Sequence, residues 1–216
     1  MMKAFISWSG GKDCMNALYR FLNVQDNEVL CLLNMTDENS DRSRSHGISN
    51  RLICLQAEKM GIPLVQRPTR RESYEKNLKE AVVQLKQDGV EAGIFGDIYL
   101  QAHRKWIELV CSELKIKAIF PLWGKDPGYL LRNFIEDGFK AVVVAVEKNR
   151  MDVRFLGRTI DHVFLNDLHH VHGIDVCGEN GEYHTFVFDG PVFNEAVPFE
   201  TGAVIEDGGC CFLQLK

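Results

Sequence analysis

The feature that most constrains the fold of this chain is an alternation of apolar strands with helical patterns over its first two thirds. Short apolar runs such as KAFIS (3–7), EVLCLLNM (28–35) and KAVVVAVE (140–147) are separated by segments in which apolar residues recur every three or four positions, as in 72–89. Apolar strands that alternate with helices are typical of a parallel sheet covered on both faces. The sequence therefore predicts an α/β fold built on a parallel sheet with helices on both faces.

The same patterns place the individual elements along the chain. Strands are predicted at 3–7, 28–35, 62–68, 90–96, 117–123 and 140–147, and helices at 14–22, 46–61, 72–89, 100–114 and 127–138. The last third has one further helix within 157–171 and short strands at 182–190, 202–207 and 210–215. We therefore predict two domains, 1–123 and 124–216, of which the second is a smaller mixed α/β domain.

Composition restricts the class of protein. The chain has 216 residues, 45% of them hydrophobic, which is enough for a sizeable core. A net charge of −5 and a pI of about 5.8 argue against a nucleic-acid partner. Seven cysteines without a CxxC pair are typical of reduced thiols. No apolar run reaches 18 residues and the N-terminal stretch is too short for a signal segment, so we expect a cytoplasmic protein without a membrane partner.

A glycine-rich turn, within the stretch SWSGGKDC, follows the first predicted strand. Backbone N–H groups and the helix dipole favour an anion at the start of the helix that comes next. Gly10 and Gly11 let the backbone approach phosphates without an intervening Cβ atom. Ser9 can add a hydroxyl, Lys12 a charge, and Asp13 a contact to a metal ion or a loop amide. The turn therefore predicts a phosphate-binding site.

Two well-known phosphate-binding loops do not match this turn. A Walker A loop has a glycine where this chain has Ile6, and a serine or threonine where it has Asp13. The dinucleotide pattern GxGxxG is also absent. The alternative to a phosphate site is an ordinary tight turn between a strand and a helix.

A second glycine-flanked stretch, GENGEYHTF (178–186), gathers Glu179, Glu182 and His184 within six positions. On a strand, Glu182 and His184 would face the same side. Carboxylates beside a nucleotide could hold Mg²⁺, bind ammonia or act as a base on the attacking nitrogen. By spacing alone, a glycine-rich hairpin that carries solvated acids explains the stretch better.

A third group of polar residues follows the predicted strand 90–96. Asp97 comes directly after Gly96 and precedes His103 and Arg104. A carboxylate at the carboxyl edge of a parallel sheet is suited to Mg²⁺ or to a ribose hydroxyl. Capping of the helix that follows is an equal alternative for Asp97.

These motifs together resemble a known family. SGGKDC looks like the SGGxDS loop of the PP-loop ATP pyrophosphatases, with Cys14 in place of the final serine. CGENGEYHTFVFDGP (177–191) is similar to the C-terminal motif of the diphthine–ammonia ligase-like family, and HGI (46–48), GDI…HR (96–104), FPLWG and FLGR fall in the order of that family. The resemblance covers nearly the whole chain. It implies a Rossmann-like sheet of the PP-loop, or adenine nucleotide alpha hydrolase-like, type and a smaller C-terminal domain.

The resemblance also implies an activity. Such a protein is an ATP-dependent amide-forming ligase that adenylates a carboxylate and transfers ammonia, releasing AMP and pyrophosphate. The implied cofactors are ATP and Mg²⁺. The implied partners are ammonia and a carboxylate acceptor, on a modified protein side chain or a small molecule, and a homodimer is compatible with the family.

The motifs and the resemblance together assign a role to each candidate residue. The catalytic candidates are Glu179, Glu182 and His184. The nucleotide-binding candidates are Ser9, Gly10, Gly11, Lys12, Asp13, Cys14, Asn34, Gly96 and Asp97. The substrate-binding candidates are His46, His103, Arg104 and Asn180. The metal-ligand candidates are Asp13 and Asp97.

Two other functions stay open from the sequence. One is a PP-loop tRNA-modifying enzyme, against which the acidic pI and the absence of a CxxC pair argue. The other is a non-catalytic protein that binds ATP or AMP. The run GDIYLQAHR (96–104) departs from the Ser-Asp-Tyr-Gln-Arg-like run of the diphthine ligases, so the sequence leaves the identity of the acceptor open as well.

Overall fold

The structure is a computed structural model that describes residues 2–38, 42–43 and 46–216. The strands formed by these residues are β1 (Met2–Ser7), β2 (Asn27–Asp37), β3 (Leu64–Thr69), β4 (Ala92–Ile94), β5 (Lys117–Ile119), β6 (Lys140–Glu147), β7 (Tyr183–Asp189), β8 (Thr201–Asp207) and β9 (Cys210–Leu215). The α-helices are α1 (Lys12–Leu22), α2 (Asn50–Met60), α3 (Tyr74–Gln87), α4 (Gln101–Glu113), α5 (Pro127–Glu136) and α6 (His162–Leu168). Every predicted element is present, although β4 and β5 are shorter than predicted.

The chain forms two compact units that do not follow the order of the sequence. Unit 1 contains Met1–Ser9, Asp13–Arg44 and Ile62–Gly124. Unit 2 contains Gly10–Lys12, Ser45–Gly61 and Lys125–Lys216. Two segments from the N-terminal part of the chain, one of which holds α2, therefore belong to the same unit as the C-terminal third.

Unit 1 is built on a five-stranded sheet with the order β3-β2-β1-β4-β5, in which every neighbouring pair is parallel. The strand order reverses between β1 and β4, and ligands of such sheets bind at the carboxyl ends of the strands at this position. The predicted α/β fold with a Rossmann-like sheet is thereby confirmed. The turn after β1 and the Gly96–Asp97 pair after β4 both lie at this edge.

An apolar cluster in unit 1 joins the parallel sheet to α3 and α4. Phe5 and Leu33 of the sheet pack in this cluster with Leu78 and Val82 of α3 and with Ile107 of α4. These helical residues recur at the three- and four-residue spacing that predicted an amphipathic face. Burial of this face fixes the two helices against the sheet.

Unit 2 is built on a four-stranded antiparallel sheet with the order β7-β6-β9-β8. Six consecutive residues of β6, 141–146, are buried. The sequence predicted this strand correctly but grouped it with the parallel strands, and that grouping is wrong. A run that is apolar throughout indicates burial on both faces, and a central strand of an antiparallel sheet has this burial too.

Helix ends follow the capping rules where the sequence signals them. The side chain of Ser49 accepts a hydrogen bond from the Leu52 amide at the start of α2, and Gly61 adopts the left-handed conformation, with φ 68°, at its end. Helix α2 therefore begins later than the predicted 46. Among the described residues, no helix has both the length and the apolarity needed to cross a membrane.

Candidate functional site

The two glycines of the turn after β1 are needed for close packing inside unit 2. Gly10 has φ 83°, and a Cβ atom built on it would lie 2.6 Å from Cδ1 of Ile53 and 2.8 Å from Oε1 of Gln56. A Cβ atom on Gly11 would collide with Cε1 of His46 and lie 3.2 Å from the carbonyl oxygen of Thr185. A side chain at either position therefore displaces protein atoms, whether or not a phosphate is bound.

Lys12 links the glycine turn to the second motif. Its backbone amide donates to Oγ1 of Thr185 over 3.0 Å, and its buried ammonium donates to the carbonyl oxygen of Cys177. The ammonium also lies 5.2 Å from the centre of the Tyr183 ring, a cation–π contact. The carbonyl oxygen of Gly10 accepts from the amide of Val187 over 3.0 Å. The two sequence motifs are therefore one hydrogen-bonded cluster.

Two carboxylates hold the loop that carries the Cys177 carbonyl. Glu182 is 2% exposed and accepts hydrogen bonds from the amides of Asp175 and Asn180, each over 3.0 Å, and from the Asn180 side chain. Oδ1 of Asp175 accepts from the amides of Cys177 and Glu179. Glu182 is thus a buried acid with neutral donors around it, and not a solvated hairpin residue.

His46 and His184 form an imidazole pair in the same cluster. Their ring centres lie 4.6 Å apart, and Nδ1 of His46 is 2.9 Å from the carbonyl oxygen of Thr185. Burial lowers the pKa of His46 to about 4, and the Lys12 charge lowers it while the Thr185 carbonyl opposes the change. Burial, His46 and Lys12 lower the pKa of His184 to about 3. Both rings are neutral at pH 7.

The start of α1 is shaped by a close approach within unit 1. A Cβ atom on Gly96 would lie 2.8 Å from the carbonyl carbon of Asp13 and 3.0 Å from the amide nitrogen of Cys14. Only glycine therefore fits after β4, because backbone atoms of α1 occupy the space of a side chain. Oγ of Ser9 lies 3.4 Å from the buried Cys14 thiol.

Asp97 pairs with a histidine of α4. Its Oδ1 lies 2.5 Å from Nδ1 of His103, whose ring stacks on Trp106 with 6.1 Å between the centres. Trp106 in turn donates from Nε1 to the carboxylate of Glu75. The Asp97 carboxylate is mostly buried while His103 is mostly exposed, so the pair presents its imidazole outward.

Arg104 lies on an aromatic platform formed by FPLWG. The guanidinium carbon is 5.1 Å from the ring centre of Phe120 and 4.5 Å from that of Trp123, and Nε donates to Glu108 over 2.7 Å. A guanidinium held on two rings is fixed in direction and keeps its charge. Such a side chain is suited to a carboxylate.

Asn34 is buried within β2, three residues before the strand ends. Its side-chain amide donates to the carbonyl oxygen of Trp8 over 2.8 Å, and its oxygen accepts from Gln66 over 3.1 Å. The side chain thus links β2 to β3 and to the residue that follows β1. A contact of Asn34 with nucleotide remains a prediction.

The described residues contain no group of three or more histidine, cysteine, aspartate or glutamate side chains arranged to hold a metal ion. Mg²⁺ in phosphate sites commonly uses one or two carboxylates together with substrate phosphates. Asp13 and Asp97 come from neighbouring segments, because the backbone of Asp13 lies directly beside Gly96. They stay the predicted ligands.

The structure sorts the predicted residues into two groups. One group, in unit 2, contains Gly10, Gly11, Lys12, His46, Glu179, Asn180, Glu182 and His184. The other, in unit 1, contains Ser9, Asp13, Cys14, Asn34, Gly96, Asp97, His103 and Arg104.

Sequence reasoning missed Asp175, Thr185 and Gln56. Gln56 is 0% exposed and donates to the carbonyl oxygens of Gly10 and Val187. The sequence feature that could have indicated this role is a glutamine among the apolar residues of α2.

Comparison with known proteins gives a consistent result over both parts of the chain. Residues 2–118 match the family model described as the diphthamide synthase N-terminal domain, and residues 126–208 match the diphthamide synthase C-terminal domain. The diphthine–ammonia ligase of Homo sapiens is 30% identical, over 91% of this chain and 82% of that protein. The Rattus norvegicus protein of the same name is 28% identical with the same coverage. The Schizosaccharomyces pombe protein of that name is 27% identical over 100% of this chain and 39% of its own length.

Proposed function

The chain belongs to the diphthamide synthase family, and from this premise we propose that it is an ATP-dependent ligase that joins ammonia to a carboxylate. Relatives named diphthine–ammonia ligase cover most of the chain. The sequence prediction of an ATP-dependent ammonia ligase is confirmed by these relatives. The acceptor is a carboxylate on a modified protein side chain, of which diphthine is the candidate that the names of the relatives supply.

The reaction proceeds in two steps. A carboxylate oxygen attacks the α-phosphorus of ATP, the bond to the β-phosphate oxygen breaks, and an acyl-adenylate and pyrophosphate result. Ammonia then attacks the acyl carbon, loses a proton, and displaces AMP to leave the amide. The chain contributes charge and fixed hydrogen-bond donors, and ATP supplies the driving force.

One observation carries the proposal. Lys12, in the glycine turn, donates to Cys177 and Thr185, which both lie in the C-terminal motif 177–191. The turn has the layout of a phosphate site, and the second motif supplies the acids and imidazoles that amide formation requires. Nucleotide and catalytic residues are therefore expected at one cluster.

The remaining roles fall to residues of both units, Asp13, Asp97, His103 and Arg104 in unit 1 and Glu179 and Asn180 in unit 2. Mg²⁺, held by Asp13 and Asp97, would neutralise charge on the phosphates. Arg104, fixed on its aromatic platform, is proposed to bind the acceptor carboxylate, with His103 beside it. Glu179 is proposed to bind or deprotonate ammonia, and Asn180 to contact the acceptor.

Product analysis tests the reaction. The protein is incubated with MgATP, ¹⁵N-ammonium and a protein that carries diphthine, and the nucleotide is separated by chromatography while mass spectrometry follows the label. AMP, pyrophosphate and a labelled amide in equal amounts are expected. ADP as the main product, or label absent from the acceptor, would overturn the proposal.

A further inference from the structure

The loop 175–182 of unit 2 consists of two consecutive turns. The amide of Gly178 donates to the carbonyl oxygen of Asp175 over 2.9 Å, and the amide of Gly181 donates to the carbonyl oxygen of Gly178 over 3.0 Å. Gly178 has φ 68°, and a Cβ atom built on it would lie 2.9 Å from the carbonyl oxygen of Tyr183. The backbone where the two turns meet is therefore fixed by packing as well as by hydrogen bonds.

The Asp175 side chain joins the two turns. Its Oδ1 accepts from the amides of Cys177 and Glu179, over 2.8 Å and 3.2 Å, on either side of Gly178. Its own amide donates to Oε1 of the buried Glu182 over 3.0 Å, so Glu182 fixes Asp175 from the other end of the loop. The backbone of Glu179, the residue proposed to act on ammonia, is thus held by one oxygen of Asp175.

We propose that Asp175 is a positioning residue of the ligase reaction, which holds Glu179 at the place where its carboxylate meets ammonia. The inference rests on the proposed function, because it takes the role of Glu179 from there. Both partners of Oδ1 are neutral backbone amides, so the property that Asp175 contributes is an acceptor oxygen in the right place. Asp175 itself is assigned no contact with substrate, and its effect on the reaction passes through Glu179.

The orientation of the Glu179 carboxylate starts at its backbone. Without the Asp175 oxygen, the two amides lose their acceptor and turn towards water, and the backbone between them is released. A displacement of about 1 Å at a reacting group lowers a rate by up to about 10²-fold. A loop that is already hydrogen-bonded also loses little conformational entropy when ammonia binds. Loss of the oxygen should therefore lower the rate with ammonia.

Amide formation by three variants tests the inference. Asp175→Ala removes the oxygen, and Asp175→Asn keeps an oxygen that can accept from the same two amides. Asp152→Ala is the matched control, because Oδ1 of Asp152 also accepts from a backbone amide of unit 2, that of Arg154, outside the loop 175–182. The kcat/KM for ammonium should fall about 10- to 100-fold in Asp175→Ala and stay within about threefold of the parent in the other two variants. The KM for MgATP should stay within about twofold in all three.

A double-mutant cycle shows whether Asp175 acts through Glu179. If it does, adding Asp175→Ala to Glu179→Gln should lower amide formation by less than about threefold, because the carboxylate that Asp175 positions is already absent. A merely structural loss would reduce amide formation by the same factor in both backgrounds. A loss that passes through the Cys177 carbonyl to Lys12 would instead raise the KM for MgATP. Either of these two results would overturn the inference.

The outcomes separate this inference from the proposed function. If the parent forms the amide and Asp175→Ala matches it, the inference is wrong and the ligase proposal stands. If the folded parent forms no amide on a protein that carries diphthine, both are wrong. Hydrogen exchange of the parent covers an Asp175→Ala variant that does not fold. The amides of Cys177 and Glu179 should be protected, and exchange at the rate of an unstructured peptide would contradict the inference.

Discussion

The two compact units assemble their predicted site residues in different ways. In unit 1, Asp97 pairs with His103 of the same stretch, and the neighbouring Arg104 packs on the nearby FPLWG segment. In unit 2, Lys12 and His46 both form hydrogen bonds with Thr185, which lies more than 130 residues further along the chain. Substitutions in unit 1 should therefore act locally, whereas those in unit 2 should reach the whole cluster.

The largest effect is expected for Lys12→Met. The substitution removes the ammonium from the Cys177 carbonyl and from the predicted phosphate site, and charge-assisted hydrogen bonds contribute about 1.5–3 kcal/mol each. Amide formation should fall about 100-fold or more. Lys125→Met, at an exposed position, is the matched control and should keep parental turnover in the same assay. If Lys12→Met keeps parental turnover, the glycine turn is not part of the catalytic cluster.

The next effect distinguishes the two glutamates of the second motif. In Glu182→Gln, one acceptor oxygen becomes an amide that faces backbone N–H donors, so the free energy of unfolding should fall by about 2 kcal/mol. Glu179→Gln should change it by less than about 0.5 kcal/mol. Denaturant unfolding measures both.

Turnover of the same two variants sharpens the comparison. If Glu179 acts on ammonia as proposed, Glu179→Gln should lose about 10²-fold in amide formation with its stability kept. Equal unfolding free energies for the two variants would contradict the view that Glu182 holds the loop.

The imidazole pair makes stability sensitive to acid. The pKa values of His46 and His184 are lowered to about 4 and about 3 in the folded protein from an ordinary 6.5, so the unfolded chain binds more protons below pH 6.5. Their contribution is complete above about pH 6.5 and is lost progressively as the pH falls towards 4 and then 3. Unfolding curves recorded between pH 7 and 4 should show this loss. A parental slope in His46→Gln, His184→Gln would exclude the pair as its origin.

The smallest effect is expected in unit 1. Arg104→Lys keeps the charge but loses the planar contact with Phe120 and Trp123, and the unfolding free energy should drop by about 0.5–1 kcal/mol. Arg71→Lys, at an exposed position, should leave it unchanged. Activity gives a second measurement. If Arg104 binds the acceptor, its replacement by lysine should raise the KM for the acceptor. A drop in stability with an unchanged KM would restrict Arg104 to a packing role.

The sequence predicted the elements and the family well because both depend on local patterns. Spacing of apolar residues located α3, and the glycine turn between a strand and a helix predicted α1, which begins at Lys12, two residues before the predicted start. The direction of β6 could not be predicted, because a strand buried on both faces reads the same in parallel and antiparallel sheets. The hydrogen bond from Lys12 to Cys177 could not be predicted either, because no sequence pattern connects two residues so far apart in the chain.

The composition of unit 2 has a consequence for building chimeras. The matched C-terminal family model begins at residue 126, yet unit 2 also needs Gly10 and helix α2, whose Gln56 donates to the carbonyl oxygens of Gly10 and Val187. Exchanging C-terminal halves between two relatives at that boundary would separate Gln56 from the native counterpart of Val187. A functional graft should therefore carry the segments 10–12 and 45–61 from the same parent as residues 125–216.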